Sequence, residues 1–141
     1  MTATTAPTTA TATEDRPSVA PIWRTGAVAG LVAAGATTAV AAVASALDVG
    51  LEVDGEAIPA FGFGQVTVFF VLIGLVLATV LARRARHPQS TFTRVTVVLT
   101  AVSCIPSILS GDGTATQLTL VLTHLVAAAI VIPAVRERLA R

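Results

Sequence analysis

Charge is missing from this chain in long blocks. Between Arg24 and Asp48 lie 23 residues without Asp, Glu, Lys or Arg; between Glu56 and Arg83 lie 26. Between Arg94 and Asp112 lie 17, and between Asp112 and Arg136 lie 23, so the four windows hold 89 of 141 residues. An ionised side chain in hydrocarbon is costly, so such windows are what a bilayer selects. At about 1.5 Å per residue, 23 residues make a helix of roughly 34 Å, enough for a ~30 Å hydrocarbon core with some tilt. The third window reaches full span only if Thr91, Phe92 and Thr93 join its helix and Arg94 snorkels back to the headgroups.

Water is the wrong solvent for these segments. A soluble bundle needs a polar stripe on every helix. The run from Val66 to Leu81 is apolar all the way round, and in water it would expose far more than the few hundred Å² that monomers tolerate. It is too long for one strand, and backbone groups in lipid favour a helix. Hydrophobic residues make up 54% of the chain and charged residues 12%, about half the usual ~25%. The expected fold is all-α, an antiparallel transmembrane four-helix bundle. Its membrane domain covers 23–138, with spans at about 24–47, 63–82, 92–110 and 114–135. Residues 1–22, rich in Thr, Ala and Pro, read as a disordered tail. Ala44-Ser45-Ala46 could serve as a signal-peptidase site, but the apolar stretch before it is longer than a signal peptide's core of about 7–15 residues.

Arginine placement sets the threading. All nine basic residues are Arg. They lie before the first span, around the second connection (Arg83, Arg84, Arg86, Arg94) and after the fourth span. The first connection carries Asp48, Glu52, Asp54 and Glu56, and the third carries Asp112. The positive-inside rule then puts both termini and the Arg83–Arg94 connection in the cytoplasm, with Arg83, Arg84 and Arg86 setting topology beside anionic headgroups. Arg without Lys, with much Ala, points to a GC-rich genome.

Between helices in lipid, packing relies on small residues and polar contacts. The first span has a row at every fourth position: Gly26, Gly30, Ala34, Thr38, Ala42 and Ala46. This face suits an intramolecular helix contact, or else a homodimer. The third span carries a hydroxyl stripe, Thr96, Thr100, Ser103 and Ser107, beside Cys104 and Pro106. The short Ser110–Gly113 connection makes spans three and four a hairpin, so Ser107 should lie level with Gln117 and Thr100 level with His124. The two polar stripes are expected to face each other.

His124 sits near the middle of its span and is the only side chain in the spans that titrates near neutrality. With Gln117, Thr100, Ser103 and Ser107 it forms a candidate intramembrane polar site for a proton or a small polar ligand. The competing reading is a neutral histidine that holds helices together. Other chemistries lack their parts. One Cys and two His cannot build a four-ligand zinc site, and there is no orienting acid for a Ser–His pair. Without Lys there is no phosphate-binding loop of the Walker type, and a net charge of +1 gives no reason to expect nucleic acid. The acidic first connection lacks EF-hand spacing, but its Asp54-Gly55 pair is a hairpin turn signal. No cofactor and no catalytic residue are expected.

Taken together, Ile58-Pro59, the Phe/Gly-rich start of span two, Arg83-Arg84-Ala85-Arg86, Pro106 and the segment Thr123–Pro133 resemble an uncharacterised family of small four-span membrane proteins of high-GC Gram-positive bacteria. The resemblance covers Arg24–Arg138 and is most specific over Thr123–Pro133. It implies a bacterial plasma-membrane location and no established activity. The expected role is that of a structural or interaction protein, not an enzyme. Its partners are the bilayer and either another copy or a membrane protein. The alternative is a small proton-linked carrier with His124 at its midplane.

Overall fold

A computed structural model describes residues 18–110 and 113–140. Four helices carry the fold: α1 Ala20–Ala46, α2 Ala60–Arg84, α3 Pro88–Ser110 and α4 Thr114–Leu139. All four are long and apolar enough to cross a membrane. Each overshoots its charge-free window at one end or both. Pro21 in the first turn starts α1 inside the stretch expected to be tail, and the Val19 carbonyl accepts from Ile22 and Trp23. The helix α3 takes in Thr91, Phe92, Thr93 and Arg94, while α4 runs through Pro133 to Leu139. Arginine is a good helix former, so a charge does not by itself end a helix. The remainder of the expected tail, residues 1–17, and the turn residues Gly111 and Asp112 lie outside the described residues.

The first connection holds a two-residue hairpin loop. Strand β1 (Glu52–Val53) pairs antiparallel with β2 (Glu56–Ala57), Glu52 opposite Ala57 and Val53 opposite Glu56. Asp54 and Gly55 both have positive φ, 53° and 79°, the requirement of the turn that matches strand twist. Beneath this hairpin Leu51 is buried with Ala41, Ala44, Phe63 and Leu120, closing the acidic end of the bundle. A second cluster closes the basic end, with Ile22, Leu75, Phe92, Val135 and Leu139 at its centre.

The packing order is α2–α1–α4–α3. The helix α1 lies along both α2 and α4, α3 lies along α4, and α2 and α3 meet only briefly although they are consecutive. Side-chain size is inverted relative to a soluble core. Ala33, Ala41 and Ala78 are fully buried, whereas Leu31, Phe69 and Leu109 are 69%, 61% and 77% exposed. Along α1 beyond Ile22 the residues that face protein are small, while the large buried side chains Leu75, Phe92 and Val135 gather at the basic end.

Close approach of α1 and α2 depends on three glycines. A Cβ on Gly26 would overlap Leu75 Cδ2, and one on Gly30 would stand 2.7 Å from Val71 Cγ1. A Cβ on Gly64 would meet Thr38 Oγ1 at 2.6 Å and the Ala34 carbonyl oxygen at 3.3 Å. The expected four-residue row therefore meets α2 through Gly26, Gly30, Ala34 and Thr38, but Ala42 and Ala46 are exposed. The row drifts because four residues turn a helix by about 400°, a ~40° slip at each step. The buried line corrects this by mixing steps of three and four: Ile22, Gly26, Ala29, Ala33, Thr37, Ala41, Ala44.

Glycines at the seam and in open space should behave oppositely. Gly64→Ala presses on a backbone carbonyl and should destabilise the fold by about 1–3 kcal/mol, as overpacking does. Gly35→Ala and Gly74→Ala meet nothing within 4 Å and should be neutral or slightly stabilising. Steric-trap unfolding in micelles measures the difference; equal costs at all three positions would contradict a seam set by glycine.

Candidate functional site

Helix α4 carries His124 half-buried in its middle. The ring Nδ1 lies 2.7 Å from the carbonyl oxygen of Leu120, one turn back on the same helix. A carbonyl only accepts, so Nδ1 must carry the proton, which leaves Nε2 with a lone pair in the neutral ring. The adjacent buried Thr123 also donates to the Leu120 carbonyl, at 2.8 Å. Two donors thus converge on one carbonyl of α4.

The stripe on α3 follows the same local rule. Thr96 donates to Phe92 O (2.7 Å), Thr100 to Thr96 O (2.9 Å), Ser103 to Thr100 O (2.8 Å) and Ser107 to Ser103 O (3.2 Å). A hydroxyl has one proton, and each is used within its own helix. What remains on these oxygens is acceptor capacity. The stripe lies on the side of α3 turned to the bundle, where Ser107 is buried and Thr100 and Ser103 are half-buried. On α4, a neutral His124 has only the Nε2 lone pair left to offer. Two acceptors do not bond, so the expected cross-helix pairing requires either a protonated ring or a hydroxyl that lets go of its own helix. Gln117 is half-buried one turn from the N-terminus of α4, seven residues from His124. Pro106 and Pro133 are accommodated inside α3 and α4, each costing its helix one backbone donor.

Polar contacts that do join helices lie elsewhere. Thr37 of α1 and Thr67 of α2 place their hydroxyl oxygens 3.0 Å apart, and Thr67 also reaches Phe63 O at 2.7 Å. Thr67 donates to Phe63 O, and the single proton of Thr37 is shared between Thr67 and Ala34 O, 3.1 Å away on its own helix. Trp23 Nε1 donates to Thr79 Oγ1 (3.1 Å), Thr116 to Gly50 O (2.6 Å) and Arg138 Nε to Thr25 Oγ1 (2.8 Å). None of these threonines stands out in the sequence. The available signal was the alternation of Thr with Gly and Ala on the α1 face, since Thr37 follows Gly30 and Ala33 at helical spacing.

Two open grooves run along the α1–α4 seam. One, of about 530 Å³ at the acidic end, is apolar, with Val43, Leu47, Leu118 and Leu122 among its walls. The other, of about 470 Å³ at the basic end, opens beside Arg24 and Arg138. His124 lines neither. Arg83 and Arg84 form the last turn of α2, where their charge complements the helix dipole, and Arg86 is exposed in the connection that follows. Among the described residues no three His, Cys, Asp or Glu side chains are grouped to hold a metal ion.

No curated protein and no solved structure matches the chain. A family of unknown function (DUF6069) matches residues 17–141, a stretch that takes in all four helices, the hairpin and both polar stripes, and the chain belongs to that family.

Proposed function

We propose that this is a multi-pass protein of a bacterial plasma membrane, with both termini and the Arg83–Arg94 connection in the cytoplasm, and that it works by associating with a second copy or another membrane protein. The charge pattern supports the threading. In the antiparallel bundle Arg24, Arg83, Arg84, Arg94, Arg136 and Arg138 belong to one end, and Asp48, Glu52, Asp54 and Glu56 to the other.

The observation that carries the association reading is the way donors are used inside the bundle. The imidazole proton and the stripe hydroxyl protons are given to carbonyls of their own helices. A turnover site needs donors aimed at a common point. Meanwhile the flank made by α2 and α3 is sparsely packed, and among its described side chains α3 buries only Phe92 and Ser107. The Gly/Ala face of α1 is occupied by α2, so a partner would meet α3. The carrier reading retains one supporting observation, a half-buried imidazole in mid-span with one nitrogen open to a proton.

Reporter fusions test the threading: a periplasm-dependent phosphatase is expected to be active after Asp54 and inactive after Arg86. The reverse pattern would overturn it. Extraction straight from the membrane into polymer nanodiscs tests association; assemblies heavier than a single 14.3 kDa chain plus lipid are expected, and a population of single chains overturns it.

The two readings also separate at His124. His124→Gln should lower stability by no more than about 1 kcal/mol, the worth of one intramolecular hydrogen bond. In proteoliposomes with a pH-sensitive dye it should leave proton leak unchanged. A proton flux in the wild type that His124→Gln removes would establish the carrier instead.

A further inference from the structure

We infer that the basic-end groove between α1 and α4 is a binding site for one anionic phospholipid. The phosphate would sit on Arg24 and Arg138, and an acyl chain would lie along the apolar wall below. This rests on the membrane reading above.

The order of chemistry along the groove carries the inference. Arg24 and Thr25 from α1 and Arg138 from α4 stand at one end. Val28 lies one turn deeper and Val32 two turns deeper, about 6 and 12 Å at 1.5 Å per residue. Ala134 lies one turn from Arg138 on the opposite wall. Cation at the mouth and hydrocarbon beneath is the profile of a phospholipid in the leaflet. Arg138 is also positioned before any ligand arrives, because its Nε donates to Thr25 Oγ1 across the seam at 2.8 Å. That bond fixes the plane of the guanidinium and leaves its terminal amino groups for a phosphate. Glu137 is exposed, about 100° around α4 from Arg138, and is not among the groove residues.

Charge chooses the occupant. Two guanidiniums favour a net-negative headgroup and repel the ammonium of a zwitterionic one. A second copy docked by a two-fold axis on this face would bring four guanidiniums together.

Native mass spectrometry of the full chain, with equal phosphatidylglycerol and phosphatidylethanolamine, reads the site directly. Preferential retention of one phosphatidylglycerol is expected. Arg24→Gln with Arg138→Gln should weaken it about 30-fold, at roughly five-fold per surface guanidinium. Arg83→Gln with Arg84→Gln should change it less than about two-fold if the groove, not net charge, binds the lipid. Ala134→Phe, which fills the groove and spares both arginines, should also abolish retention. Equal retention of the two lipids, or undiminished retention in the Arg24/Arg138 variant or in Ala134→Phe, overturns the site. So does a disulfide-linked dimer of Val28→Cys in a Cys104→Ser background that forms in place of lipid binding. Alkaline extraction of each variant separates the two claims: protein that stays in the membrane without the preference sinks only the lipid site, whereas protein that washes off sinks the membrane reading too.

Discussion

A leucine gains nothing by leaving lipid for another leucine, and that removes the force on which most folds depend. What holds α1 to α2 must then be contact at short range, and contact at short range is limited by the nearest Cβ. Gly26, Gly30 and Gly64 remove that limit at three heights along one seam. Once the backbones are close, Thr37 and Thr67 come within 3.0 Å and Trp23 reaches Thr79. The polar contacts are therefore consequences of the glycines, and a bulkier residue at the seam would cost the hydroxyl pair as well as the packing.

The same logic explains why α1 is the axis of the molecule. It has the smallest residues on both flanks, so α2 and α4 can each approach it, and Ala33, Ala41 and Ala44 are buried between them. Helix α3 has Thr and Ser where α1 has Gly and Ala, packs mainly on α4, and leaves Val98, Leu99 and Ile105 outward. Position in the bundle follows side-chain volume more than position in the chain, which is why the consecutive helices α2 and α3 barely touch.

Helix number, rough span and the Asp54-Gly55 hairpin were legible because each has a local signature: a charge gap, or a residue pair that tolerates positive φ. The seam was half legible. Gly26 and Gly30 announce a close approach, but a strict four-residue repeat rotates off the interface by Ala42, and Gly64, the partner's contribution, has no periodic companion to mark it. The polar residues of α3 and α4 were legible as composition, but their hydrogen-bond partners were not. Depth matching put Thr100 beside His124, yet a hydroxyl proton is claimed first by the carbonyl one turn back, which is always within reach in a helix. Spacing reports which side chains share a face; it does not report which acceptor wins.

The α1–α4 seam shows how a bundle without a hydrophobic drive is kept in register. At the acidic end Thr116 of α4 donates to Gly50 of the first connection, and at the basic end Arg138 of α4 donates to Thr25 of α1. Each pin lies near a helix end, where the helix leaves backbone or side-chain groups to bond. The seam opens into one groove beside each pin. Because the pins differ in charge, so do the grooves. The carbonyl-based pin leaves an apolar slot, while the guanidinium-based pin leaves a cationic mouth. In the proposed threading, the arginines that direct it would also select the lipid that fills the gap left by the packing.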